Sequence, residues 1–286
     1  MSGSSVLARL GKSGISVTDI ASQYWCERQT ELNYIYGKAQ TDTMKKGNEI
    51  HEELHKPLYV KLEAQPVNYA DFLYKVGYEG YSALANLPSK KVAREIMIFG
   101  SINGYRLTGQ IDELRIENAE TVVSETKTKT GGKINSATLS LHKIQVMLYK
   151  MMLDDIRSQR YTYKNFYNIY GLKNMSMSSE FKEEVSKLGI GVELDLEGIY
   201  KMLFEQLSAL PPVSNTLEID YIDRSSNSET ERVRITYDKG ELDGIIRHAM
   251  GFWNGERESQ PVPESEKWKC QRCRFFGKQC KVWWSG

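Results

Sequence analysis

No apolar run of the roughly 18 residues that a helix needs to cross a bilayer occurs in the 286-residue chain, so no membrane span is expected. The opening stretch, MSGSSVLARLGKSG, has no apolar segment of the length a secretory leader uses. Cysteine is scarce, at four residues, and with no secretory leader a disulfide framework is not expected. Neither sign of charge dominates: 38 lysines and arginines stand against 37 aspartates and glutamates, for a net charge of +1. That excludes a uniformly basic surface but leaves room for a local basic groove. Internal repeats and low-complexity tracts are also missing. What is present, 40% apolar and 26% charged residues, suits a globular protein long enough for one large α/β domain or two small ones. Arg9 and Lys12, among serines and without an acid, fit a mitochondrial address loosely. The expected location is intracellular: cytoplasm in a prokaryote, nucleus or mitochondrion in a eukaryote.

The chain is organised around GQIDELRIENAETVVSETK, Gly109 to Lys127. It reads as two strands, Leu107 to Ile116 and Thr121 to Lys127, joined by a polar turn at Glu117 to Glu120. Lys91 to Gly100 alternates as a further strand, and Asn103-Gly104 is a hairpin turn signal. Glu125 and Lys127, two apart on a strand, project from one face beside Asp112 on the adjoining strand. Two carboxylates and an ammonium so placed can build a divalent-metal site, since Asp and Glu supply the hard oxygens Mg²⁺ prefers. A surface hairpin with an ordinary ion pair is the plain alternative.

Three of the four cysteines, Cys270, Cys273 and Cys280, form C-x₂-C-x₆-C near the C-terminus, and Cys26 is the fourth thiol available. Such spacing suits a tetrahedral metal or an iron–sulfur cluster, and leaves Zn²⁺ and 4Fe-4S both open. Either would tie the two ends of the chain together. Cationic residues from Lys267 to Lys281 alternate there with Trp268, Phe275, Phe276, Trp283 and Trp284, the chemistry of single-strand nucleic-acid binding.

Elsewhere, Ser16 to Asp19 reads as a helix start. Arg28, in WCERQ, can reach a phosphate or pair with a neighbouring carboxylate. Met44 to Ala64 is expected to be helical and to carry Gly47 and His51 one turn apart, which makes His51 a candidate metal ligand. HEELH also fits the HExxH of zinc proteases, but no third zinc-ligand motif follows. Ser136 to Ile156 has helical periodicity and places Gln145 and Tyr149 on one face. Lys129, Lys133, His142 and Lys143 add a basic edge nearby. Helices are expected at Leu196 to Leu210 and Asp238 to Trp253, with a hairpin at Leu217 to Ile222 and Arg232 to Tyr237.

GQID followed by ETK resembles the D…ExK core of PD-(D/E)xK nucleases. The upstream G-x-x-x-H and downstream Q-x-x-x-Y resemble the remaining RecB-type motifs, and EKWKCQRC resembles the WKCxxC signature of the exonuclease V family. The resemblance runs from about Ser16 to Trp284. It implies an α/β fold: a PD-(D/E)xK restriction-endonuclease-like core, a mixed central sheet flanked by helices, with an iron–sulfur domain joining the N- and C-terminal segments. The expected divisions are 1–43 (first cluster cysteine), 44–160 (nuclease core), 161–260 (helices and a hairpin completing the fold and DNA channel) and 261–286 (cluster segment).

The resemblance further implies that Asp112, Glu125, Thr126 (through its carbonyl) and His51 hold Mg²⁺, with Mn²⁺ able to substitute. Asp112, Glu125, Lys127, Gln145 and Tyr149 form the catalytic set; Cys26, Cys270, Cys273 and Cys280 hold a 4Fe-4S cluster; and Arg28, Lys129 and Lys143 contact DNA. The implied activity is a metal-dependent single-stranded DNA exonuclease, 5′→3′, hydrolysing phosphodiester bonds in DNA repair or genome maintenance. It is expected to act as a monomer, with a single-strand-binding protein as a partner. The alternatives are a nuclease of CRISPR spacer acquisition and a non-catalytic nucleic-acid-binding module.

Overall fold

The computed structural model describes residues 5–54, 61–188, 195–226 and 228–283; the side chains of Thr43, His51, Glu52 and Leu54 lie outside that description. In chain order the elements are α1 (Val6–Arg9), β1 (Gly14–Ser16), α2 (Val17–Tyr36), α3 (Asp42–Leu54), α4 (Tyr69–Ala85), α5 (Leu87–Lys90), β2 (Val92–Ile102), β3 (Tyr105–Glu117), β4 (Glu120–Lys129) and α6 (Ser136–Arg157). They continue with α7 (Tyr163–Tyr170), α8 (Ser179–Lys187), α9 (Leu196–Ser208), β5 (Thr216–Asp223), β6 (Glu229–Thr236) and α10 (Lys239–Trp253), then a 3-10 segment, Glu264–Arg272.

The six strands form one mixed sheet. β2, β3 and β4 are antiparallel neighbours, β4 and β5 are parallel, and β6 closes the far edge antiparallel to β5. β1 pairs in parallel with Arg106–Thr108 of β3. The hairpin turn after β2 uses Asn103 and Gly104, both at positive φ, as the Asn-Gly signal requires. Because β5 lies directly against β4, the region after residue 160 contributes to the same sheet that carries the D…ExK strands.

α6 crosses β2, β4 and β5 and packs on α2 and α9, while α4 lies on β2 against α9, so helices flank the sheet. Its inward positions, Ile144, Met147, Leu148, Met152 and Ile156, are fully buried, which explains its helical periodicity. Beside it an aromatic cluster forms, with Phe166 packed at 4.3 Å on Tyr200, 4.5 Å on Tyr170 and 4.9 Å on Phe99 between ring centroids. The stretch from Tyr161 to Glu184 contributes Tyr161, Phe166, Tyr170, Leu172, Met177 and Phe181 to the core.

Ser16 caps α2 in a box with Asp19: its hydroxyl accepts the Asp19 N–H at 3.0 Å, and Asp19 accepts the Ser16 N–H at 2.8 Å. The helix expected over Met44–Ala64 is shorter. α3 spans Asp42–Leu54, 55–60 lies outside the described residues, and 61–68 is not helical. Among the described residues, no helix is long and apolar enough to cross a membrane.

Candidate active site

β3 and β4 pair from Glu117 opposite Glu120 as far as Glu113 opposite Ser124, and no further. From Ser124 onward β4 follows β5, with Glu125 opposite Ile219 and Lys127 opposite Tyr221. Asp112, the next residue of β3, spans the parting: its carboxylate accepts the Thr126 N–H at 2.8 Å. That bond gives a buried backbone donor its acceptor where the β3–β4 ladder has stopped, and fixes the side chain of Asp112, which lines a cleft.

Glu125 and Lys127 share a face of β4, and Lys127 Nζ donates to Glu125 Oε1 at 2.6 Å. Gln145 Nε2, from α6, donates to the same oxygen at 3.1 Å and lies 3.5 Å from the Tyr149 hydroxyl one turn on. The Tyr149 hydroxyl faces the Gln110 N–H of β3, which works to lower its pKa. The Q-x-x-x-Y pair therefore staples α6 to both carboxylate-bearing strands, and a buried carboxylate needs such donors. Burial, then the charges of Glu125 and Asp112, push the Tyr149 hydroxyl well above its usual range, so it stays protonated. Burial works to lower the Lys127 ammonium, but the charges of Glu125 and Asp112 and the bond to Glu125 outweigh it and hold Lys127 above its ordinary value.

The close approach of these elements depends on two glycines. A Cβ on Gly109 would stand 2.6 Å from the Tyr149 ring, and one on Gly47 would stand 2.9 Å from Thr128 Oγ1 where α3 meets β4. Asp112, Glu125, Thr126, Lys127, Gly47 and Asn48 lie on the wall of one cleft of about 520 Å³. Among the described residues, no three His, Cys, Asp or Glu side chains converge on one point. Two carboxylates with a backbone carbonyl nearby nevertheless suit Mg²⁺, which is held through one or two carboxylates and keeps several waters. His51 belongs to α3, but its side chain lies outside the described residues.

The basic residues named from the sequence fare differently. Lys143 donates to Glu241 at 2.6 Å, Lys129 to Glu231 at 3.0 Å, and Arg28 stands 3.6 Å from Glu31, so each is compensated by a carboxylate. His142 does line the cleft, but it adds no charge to a basic edge. Burial and the neighbouring Lys127 ammonium bring it down to about 3, and its Nδ1 sits 2.8 Å from the Tyr221 hydroxyl. Arg224 also lies on the cleft wall, and no local motif marks it.

Cys26, Cys270, Cys273 and Cys280 line a second, narrow pocket of about 20 Å³ between α2 and the C-terminal segment. Cys26 interrupts α2 with extended backbone (φ −167°, ψ 112°). Burial pushes the Cys26 and Cys270 thiols up, as it does any thiolate lacking a positive partner. A four-thiol donor set is one that either Zn²⁺ or a 4Fe-4S cluster accepts.

The same two segments are also joined without the cysteines. Glu27 accepts from Arg257 Nη2 at 2.9 Å and from the Gln260 N–H at 2.7 Å; Trp253 donates to Gln23 at 3.1 Å, and Lys269 to the Trp25 carbonyl at 3.3 Å. No local pattern marks Glu27 or Arg257. In the tail, Trp268 and Trp283 are exposed and Phe275 is buried, so the aromatics there divide between surface and core; Trp284 lies outside the described residues.

Fold and cleft together define the class: an α/β protein whose mixed sheet delivers two buried carboxylates and a lysine to one opening. A family model described as exonuclease V, a 5′ deoxyribonuclease, matches residues 6–130, 118–197 and 193–284, and the chain belongs to that family. It is 26% identical to Exonuclease V of Danio rerio over 292 residues, which cover 95% of this chain and 71% of that protein. It is also similar to the crystal structure of SSO0001, at a TM-score of 0.43 and 13% identity, over 94% of this chain and 91% of that one.

Proposed function

We propose that the protein is a Mg²⁺-dependent exonuclease that degrades single-stranded DNA from the 5′ end at a RecB-type PD-(D/E)xK site. The observation that carries this reading is the meeting of Asp112, Glu125 and Lys127 in one cleft, with Asp112 locked by the Thr126 N–H. Family membership supports a 5′ polarity and a DNA substrate. Asp112, Glu125 and the Thr126 carbonyl would hold the ion, which when bound polarises a phosphate and lowers the pKa of a water. Lys127, held as an ammonium, stabilises negative charge developing on the phosphate oxygens rather than taking a proton. Gln145 and Tyr149 keep Glu125 and β3 in place; they act through the carboxylate. The four cysteines would hold a 4Fe-4S cluster that closes the chain ends around the strand.

The test is digestion of end-labelled linear single-stranded DNA with Mg²⁺, beside the same strand circularised. The linear form is expected to be degraded and the circle to resist. Asp112→Ala and Glu125→Ala are each expected to abolish cleavage while DNA binding persists. Cleavage that survives either substitution, or efficient cutting of the circle, would overturn this reading.

A further inference from the structure

Arg224 follows β5 directly and is fastened to the exit of β4 at four points. Its N–H donates to the Lys129 carbonyl at 2.9 Å, Nε to Thr128 Oγ1 at 3.1 Å, Nη2 to the Thr128 carbonyl at 3.0 Å and Nη1 to Thr130 Oγ1 at 3.1 Å. Every one of these acceptors is neutral. Among the described residues, Arg224 has no carboxylate within ion-pairing distance, whereas Lys129, Lys143 and Arg28 each do. A guanidinium carries five N–H donors in a planar fork. The three side-chain bonds leave two of them over, on a side chain that lines the same cleft as Asp112, Glu125 and Lys127.

Resting on the reading of this cleft as the DNA site, we propose that Arg224 is its phosphate anchor, binding a backbone phosphate of the incoming strand. An unneutralised cation attracts an anion with its full charge, and the guanidinium geometry matches phosphate oxygens. The two threonines have already fixed the plane of the fork, so little side-chain freedom is lost when the phosphate arrives. The compensated lysines lack that advantage, since each must first give up a carboxylate. A purely structural role, stapling β4 to β5, would use the same four bonds but would have no bearing on salt dependence.

The experiment measures binding of a single-stranded oligonucleotide by full-length protein carrying Asp112→Ala, across a salt series. Adding Arg224→Gln is expected to weaken binding several-fold at low salt and to reduce the slope of log affinity against log salt by about 0.7, the loss of one phosphate contact on a single strand. Arg224→Lys is expected to keep the slope. Thr130→Val, which removes one staple but no charge, is also expected to keep it. An unchanged slope in Arg224→Gln overturns the proposal, whether or not thermal stability falls. If the protein with Arg224 intact binds no DNA, the reading of the cleft fails as well; if it binds and only the slope fails to move, that reading stands without this anchor.

Discussion

His142 shows how a side chain of ordinary composition acquires an unusual state from its position. Its ring lies in the cleft beside the Lys127 ammonium and against the Tyr221 hydroxyl, and it is neutral down to about pH 3 instead of the ordinary 6.5. A second positive charge beside Lys127 would repel it and compete for Glu125. Between pH 6.5 and about 3 the unfolded chain binds a proton that the folded chain refuses, so stability is lost as pH falls through that window and is unaffected above it. The loss is at most about 1.4 kcal/mol per pH unit. Urea unfolding at a series of pH values from 7 to 4 is expected to show a steeper loss in the parent than in His142→Gln. Parallel curves would remove His142 as the cause.

At the scale of elements, the cleft depends on how closely β3 and α6 approach. Gly109 allows the Tyr149 ring to lie on the strand, where a Cβ would meet it at 2.6 Å and Val17 Cγ2 at 2.8 Å. Neither neighbour is a flexible end: Tyr149 is a buried ring on α6 and Val17 is in the first turn of α2. Gly109→Ala is therefore expected to destabilise by about 1–3 kcal/mol through overpacking. It is also expected to slow cleavage, because displacing Tyr149 moves the helix that carries Gln145 to Glu125. Gly244, within α10 and with nothing within 4 Å of its added Cβ, is the control: Ala there is expected to stabilise by about 0.5–1 kcal/mol. Urea midpoints of the two variants check both expectations, and a neutral Gly109→Ala would show that α6 can shift freely over β3.

For the whole molecule, the chain ends meet twice over. One junction is the pocket lined by Cys26, Cys270, Cys273 and Cys280; the other is the hydrogen-bonded set of Glu27, Arg257, Gln260, Gln23 and Trp253. If the cysteines hold one 4Fe-4S centre, freshly purified protein is expected to be brown, and Cys26→Ala to lose the colour as fully as Cys273→Ala. Both variants are expected to melt at lower temperature, because metal-binding free energy contributes to folding. The hydrogen-bonded junction would still keep the ends together in the cold. A Cys26→Ala protein with its full visible absorption would refute the shared centre. A colourless native protein holding one zinc, purified without oxygen, would refute the iron–sulfur assignment alone.

Local patterns carried much of this structure. The β-branched alternation around Asn103-Gly104 and in β4, the capping box at Ser16 and the helical periodicity of α6 all act over a few residues, so they are legible one segment at a time. The i, i+2 spacing of Glu125 and Lys127 and the i, i+4 spacing of Gln145 and Tyr149 likewise determined which side chains share a face. Tertiary structure alone decided what lies opposite those faces. That β4 leaves β3 at Ser124 to run beside β5, that Asp112 then takes the Thr126 N–H, and that Arg224 arrives at the cleft from almost a hundred residues away are consequences of strand pairing between distant segments. The pairing of the basic residues was decided the same way. Lys129 and Lys143 look like open cations in sequence, and only packing brings Glu231 and Glu241 to them while leaving Arg224 with neutral oxygens, because the field at a side chain depends on neighbours in space and not along the chain.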